Sequence, residues 1–222
     1  LRYVQVSLER RTGKVQCVVV WHSADYKSAG SSLTRLTQQM KTRPDLIHSL
    51  SVNFNPTEEN NIFTYAPGSW KLLWGPPMMK ETIGKATFYF RPQIFRQANL
   101  DAFEAGIVPL VAQSVPTGAR VAELYSGLGI LGLNAAETAN AEEVLCSDSN
   151  DYVKDVFARS AASLSGENKN RVTFESLSAA EAIEEGQLES AQCLIVDPPR
   201  KGLDEEVLKV LLNRNTGSVS VS

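Results

Sequence analysis

The sequence predicts an α/β chain in which a small α+β domain, residues 1–90, precedes a domain, residues 91–222, built on an incomplete parallel sheet. Three observations carry this prediction. After Pro92, four short apolar runs recur at regular intervals with helical segments between them, the alternation that crossover connections require. Before Pro92, β-rich runs follow one another through Gly- and Pro-containing turns around one helical stretch. Where the first of the four later runs gives way to a helix stands Gly127-Leu128-Gly129-Ile130-Leu131-Gly132, a glycine pattern suited to a sharp strand-to-helix turn.

Taken in order, residues 3–8 and 15–20 are two β-rich runs flanking Arg11-Thr12-Gly13-Lys14, which predicts a hairpin. Leu33, Leu36 and Met40 fall on one face of a helix. Ser49 to Asn55 alternates as a strand, and Asn60 to Thr64, Lys71 to Trp74 and Lys85 to Phe90 read as further short strands. Phe95, Leu100, Phe103, Ile107 and Val111 form a helical stripe from Phe95 to Ala112, closed by Pro116-Thr117-Gly118. The four later strands are expected at 120–125, 143–148, 171–175 and 192–197, with helices at 129–138, 152–163 and 179–185 between them. A last helix carries Glu205, Val207, Leu208, Val210 and Leu211.

Bulk properties narrow the classes. No apolar run reaches the roughly 18 residues that a membrane-spanning helix needs. Cys17, Cys146 and Cys193 are far apart and unpaired in spacing, which argues against a disulfide framework and a metal cluster and points mildly to a reducing interior. Net charge is −3, yet it is unevenly placed: residues 1–100 hold 13 Lys and Arg against 6 Asp and Glu, while residues 101–222 hold 9 against 19. A basic segment beside an acidic one suits a module that meets phosphates next to one that holds a small cationic ligand; solvated charge with no partner fits equally.

Three places carry chemistry. Gly127 and Gly129 let the backbone turn and approach a ligand closely, since a Cβ would intrude; a dinucleotide enzyme could use the same pattern. Asp148 ends the second strand where a ribose would lie, and a carboxylate there can accept both hydroxyl protons, although it could instead cap the helix that follows. Asp197-Pro198-Pro199-Arg200 ends the fourth strand, so an acid braced by two prolines faces the carboxyl edge of the sheet, where open parallel sheets bind ligands. In several methyltransferases that modify exocyclic amines an aromatic residue follows such a proline pair; here Arg200 follows, a departure that disfavours that chemistry.

Phe95-Arg96-Gln97-Ala98-Asn99, Glu123-Leu124-Tyr125-Ser126-Gly127-Leu128-Gly129 and Asp197-Pro198-Pro199-Arg200-Lys201-Gly202 together resemble the RNA uracil-5-methyltransferase family, most firmly from Gly84 to Asp204. Leu1-Arg2, Thr12-Gly13-Lys14-Val15-Gln16 and Asn60-Asn61-Ile62-Phe63 resemble the central domain that precedes the methyltransferase domain there. The resemblance implies a Rossmann-like class I methyltransferase domain, S-adenosylmethionine as cofactor, and uridine in transfer or ribosomal RNA as target; the expectation of neither metal nor membrane comes from the cysteine spacing and the apolar runs above. It implies cofactor contacts at Gln97, Tyr125, Asp148 and Asp197, and around them Glu123, Ser126, Gly127 and Gly129.

The family's nucleophilic cysteine follows the Asp-Pro-Pro-Arg loop and its base glutamate lies near the C-terminus; neither has a counterpart here. The chain starts at Leu1 and runs out at Val219-Ser220-Val221-Ser222, as a piece of a longer protein would. The expectation is therefore a cofactor-binding piece without turnover, its fourth strand left with an unpaired edge and its stability marginal. The other readings are a noncatalytic RNA-binding or regulatory fragment and a methyltransferase for another RNA position.

Overall fold

The computed structural model describes residues 1–59, 61–213 and 219–221. The chain divides into two compact units, Leu1–Glu81 and Thr82–Ser222, the division falling upstream of the change of texture after Pro92.

In the first unit, strands β1 (Tyr3–Glu9) and β2 (Lys14–Trp21) form the expected hairpin, paired antiparallel from Tyr3 opposite Val20 to Glu9 opposite Lys14. Helix α1 (Gly30–Lys41) then crosses to β3 (Ile47–Phe54), parallel to β2, and β4 (Trp70–Trp74) returns antiparallel, so the sheet order is β1-β2-β3-β4. Cys17, Val19, Leu50, Val52 and Phe54 cluster with Leu33 of α1, which burial removes from water entirely. The buried Glu81 accepts from the Arg10 backbone N–H at 2.9 Å and from its guanidinium Nε at 3.1 Å, so this acid is paired rather than stranded.

The strand expected over residues 60–64 is absent from 61–64, and Asn60 lies outside the described residues. Side chains at the end of β3 and just beyond it take the place of a strand partner. Asn53 donates to Thr64 O at 2.8 Å and accepts from Thr64 N at 3.1 Å, while Asn55 donates to Asn61 O at 2.9 Å. A primary amide offers the same donor and acceptor pair as a peptide group, so the segment is satisfied as a loop.

Strands β5 (Met79–Ile83) and β6 (Ala86–Phe90) pair as a two-stranded sheet joined through Gly84-Lys85. The helix expected from Phe95 begins five residues later. Asn99 caps it, accepting from Ala102 N at 3.1 Å, so Phe95, Arg96 and Gln97 precede the helix in irregular backbone. The helix runs as α2 (Leu100–Ala102), a π-helical turn (Phe103–Ile107) and α3 (Val108–Ser114). The wide turn falls just before Pro109, whose ring would otherwise clash with the carbonyl one turn back.

From there the expected alternation unfolds: β7 (Arg120–Leu124), α4 (Ile130–Ala139), β8 (Glu143–Ser147), α5 (Lys154–Ala161), β9 (Val172–Glu175), α6 (Ala179–Glu184), β10 (Cys193–Val196), α7 (Glu205–Asn213) and β11 (Val219–Val221). All pairings are parallel, in the order β11-β10-β7-β8-β9. This is a Rossmann-like α/β sheet whose direction of winding reverses between β7 and β10. Ala122, Leu124, Leu194 and Val196 bury one face against Ala179 and Ala182 of α6 and Val207 of α7. The expected unpaired edge on the fourth strand is corrected: Leu194, Ile195 and Val196 of β10 pair with Val219, Ser220 and Val221. Ser222 lies outside the described residues.

Candidate functional site

Ligands of open parallel sheets settle where the winding reverses, at the carboxyl ends of the strands. Here that place lies between β7 and β10, and the residues just beyond β7, β8 and β10 are Tyr125, Asp148 and Asp197.

Each glycine of the turn is required for a different reason. Gly127 has φ 51° and a Cβ built on it would meet nothing within 4 Å, so this residue borders open space. Gly129 has φ 69°, and its Cβ would come within 2.5 Å of the Phe157 ring. At Gly132 a Cβ would lie 2.5 Å from Glu123 Oε2 and 3.0 Å from Cys146 Sγ, so the first turn of α4 packs directly on the sheet. Tyr125 adopts φ 55° without being a glycine, a left-handed conformation that costs an ordinary residue about 1–2 kcal/mol and persists where its surroundings hold it. Its hydroxyl donates to Asp204 Oδ2 at 2.9 Å, and burial pushes the phenol's pKa up.

Asp148 belongs to the same turn. Its Oδ2 accepts from Gly127 N at 2.8 Å and its Oδ1 from Asn150 N at 2.9 Å, leaving each oxygen a lone pair for a ligand hydroxyl. The cap of the following helical turn is Asn150, which accepts from Tyr152 N, so Asp148 is released from the capping role that its position also suggested. Ser126 is buried, and its Oγ has no hydrogen-bond partner among the described residues. Ser176, one residue beyond β9, has a hydroxyl in the same condition. Buried hydroxyls left unpaired are costly, and two of them at the carboxyl edge of one sheet point to a polar ligand. Sequence reasoning missed Ser176, although the strand-end rule that selected Asp148 and Asp197 selects it too.

Asp197 is half-buried, and burial raises its pKa. Glu123 needs correcting as a ligand-facing residue. It is 2% exposed, on the α4 side of β7, and its Oε2 accepts from Gly132 N at 3.0 Å and from the Cys146 thiol at 3.2 Å. Burial, with Asp197 and Asp148 nearby, pushes its pKa up to about 8, so the carboxyl is protonated at neutral pH. It supports the turn from behind and satisfies one of the unpaired N–H groups at the start of α4. Gln97 is half-buried in the irregular segment before α2, and no hydrogen bond joins it to the other residues of the site among those described. All three cysteines are free and buried, and burial raises each thiol's pKa, that of Cys146 most.

The donor set has no metal character: no group of three or more His, Cys, Asp or Glu converges among the described residues. No helix among them is long and apolar enough to cross a membrane. The site therefore offers an open glycine turn, two unpaired hydroxyls and the carboxylates of Asp148 and Asp197, an arrangement for a hydroxyl-bearing ligand with positive charge.

No family model matches the chain. Among curated proteins, an uncharacterized RNA methyltransferase of Protochlamydia amoebophila is 36% identical over 214 residues, covering 95% of this chain and 54% of that protein. One of Listeria innocua, with the same description, is 28% identical over 218 residues, covering 96% of this chain and 45% of that protein. The chain thus spans about half the length of the curated relatives it matches. Among solved structures, the tRNA (uracil-54, C5)-methyltransferase of Pyrococcus abyssi in complex with S-adenosyl-L-homocysteine aligns with a TM-score of 0.67 at 21% identity, over 93% of this chain and 45% of that one. Trm5b of the same organism aligns at 0.54 and 12% identity, over 89% of this chain and 53% of that one. At these identities the likeness to solved structures is one of fold.

Proposed function

We propose that the chain is the cofactor-binding part of an S-adenosylmethionine-dependent RNA methyltransferase acting on carbon 5 of uridine in transfer or ribosomal RNA. The observation that carries this reading is the Asp148 carboxylate bonded to the Gly127 N–H beside the unpaired Ser126 hydroxyl, at the reversal point of a parallel sheet. That arrangement suits a nucleoside, and the surrounding carboxylates suit its sulfonium charge. The 36% identity to an RNA methyltransferase and the sequence Asp197-Pro198-Pro199-Arg200-Lys201-Gly202 support the class and the uracil-5 type.

In this reading the bound cofactor supplies an electrophilic methyl group. The residues of this chain hold it in place. Asp148 accepts from the ribose hydroxyls, Gly127 and Gly129 let the backbone come close, and Ser126 and Ser176 offer their hydroxyls. Gln97 is assigned to the amino-acid end and Tyr125 to the flank, while Asp197 faces the reacting base. Carbon 5 of uracil is a poor nucleophile and needs covalent activation by a thiolate at carbon 6. Cys17, Cys146 and Cys193 are buried with raised thiol pKa values, so none serves, and we assign residues 1–222 binding without turnover. The basic residues 1–100 are assigned to the RNA.

Calorimetry with S-adenosylhomocysteine tests the cofactor assignment: saturable heat at one site per chain is expected, and its absence rejects the reading. RNA labelled with tritium at uracil carbon 5 tests the rest. The Protochlamydia relative should release the label in the presence of cofactor and this chain should retain it; methylation without release would move the target to another position.

A further inference from the structure

Two loops flank the proposed cofactor pocket, and one side chain joins them. The first is the glycine turn after β7, entered through Tyr125 in its left-handed conformation. The second leaves β10 at Asp197, passes the proline pair and reaches α7 at Asp204, whose carbonyl accepts the first helical bond, from Leu208 N at 3.0 Å. The Tyr125 hydroxyl donates to Asp204 Oδ2 at 2.9 Å and accepts from the Asp204 backbone N–H at 3.3 Å, closing a contact between residues 79 apart in sequence. Asp204 Oδ1 takes the Lys201 ammonium at 2.7 Å. These two bonds hold the Asp204 carboxyl below its ordinary pKa.

We propose that Asp204 is a positioning residue: through Tyr125 it latches the loop carrying Asp197 onto the glycine turn, so the cofactor pocket is already shaped when the ligand arrives. The inference rests on the cofactor reading above and adds a residue that makes no contact with the ligand itself. A phenol has one proton to give and an oxygen that can accept, and Asp204 satisfies both from a single residue, which fixes the loop's height against the turn as well as its distance. Lys201 closes the loop on itself by binding the opposite carboxylate oxygen. Pro198 and Pro199 have fixed φ, and the Gly202 N–H donates to Pro199 O at 2.8 Å, so the loop between Asp197 and the latch is stiffened. Preorganisation of this kind lowers the ordering cost of binding.

The test compares wild type with Asp204→Ala, Asp204→Asn, Tyr125→Phe and the Tyr125→Phe/Asp204→Ala double variant by calorimetry with S-adenosylhomocysteine, by ligand-free melting and by limited trypsin digestion after Arg200 and Lys201. Asp204→Ala should weaken binding about tenfold, the scale of one lost hydrogen bond to a charged group, with little change in ligand-free melting. The double variant should fall short of the sum of its parents' losses, because the Tyr125 hydroxyl to Asp204 Oδ2 bond is broken by either change. Asp204→Asn keeps an acceptor oxygen and the backbone N–H, and should return to within about threefold of wild type. Trypsin should cut the ligand-free loop several-fold faster in Asp204→Ala and Tyr125→Phe. Unchanged cutting, or additive losses in the double variant, overturns the latch. Absence of binding by wild type would reject the cofactor reading, while the digestion of ligand-free protein still decides the latch. Should Asp204→Ala fail to fold, Tyr125→Phe carries the same comparison.

Discussion

At the scale of residues, Gly127 and Gly132 separate two reasons for having no side chain. Gly127 faces open space with a left-handed backbone, so Gly127→Ala should cost about 1–2 kcal/mol of stability and abolish most cofactor binding. Gly132 faces Glu123 and Cys146 at contact distance, so Gly132→Ala should cost more, about 2–4 kcal/mol, because the strand and helix must part. Urea denaturation and calorimetry on the pair check the contrast. Glu123 yields a pH prediction. Its pKa rises from 4.5 to about 8 on folding, so the folded protein holds a proton that the unfolded chain has lost across that interval. Its contribution is full below about pH 4.5 and fades as pH rises through about 8. Melting temperature should therefore decline over this window in wild type and decline less in Glu123→Gln, whose amide oxygen still accepts from Gly132; equal slopes would refute the assignment. Asp148 and Asp197 are legible as strand-end residues because apolar runs show where strands stop, whereas Tyr125 enters only through the family resemblance. The sequence misplaced Glu123 because the motif runs continuously through residues 123–129, whereas alternate residues of β7 face opposite sides of the sheet.

Among the elements, what escaped the sequence did so where side chains replaced backbone partners. The helical stripe in the sequence begins at Phe95, yet that residue is 76% exposed and the Asn99 side chain starts the helix at Leu100. Asn99→Ala should cost about 1 kcal/mol, as should Ser178→Ala, which breaks the reciprocal cap between Ser178 and Glu181 at the start of α6. Thermal melts of both variants measure this. Residues 61–64 have the composition of a strand and lost that role to Asn53 and Asn55, whose amides hold them as a loop. Strand β5 alternates buried and exposed residues from Met79 to Ile83 and was legible in principle, but it follows Gly75-Pro76-Pro77 closely enough to read as an extension of that turn. The later strands and helices were found within a few residues of their ends because β-rich and helical periods alternate there without interruption.

For the whole molecule, the charge division remains the feature with the widest reach. If the basic residues 1–100 meet RNA, the logarithm of affinity should fall with the logarithm of salt at a slope steeper than about −2, at about −0.7 per single-strand phosphate contact. Cofactor affinity should barely respond to the same change, since the Asp148 and Asp197 carboxylates assigned to it are half-buried and short-range contacts are little screened. Filter binding and calorimetry at matched salt concentrations compare the two; a flat RNA response removes the assignment. The sheet itself provides a built-in clock. Cys146 sits on its inner strand β8, 1% exposed, with its hydrogen committed to Glu123 and its ionisation pushed well above the usual range. An alkylating reagent such as iodoacetamide can reach that sulfur only in moments when β8 separates from its neighbours. The pace of modification at that one atom thus counts how often the interior comes apart, and it should slow in proportion to whatever ligand holds the strands shut.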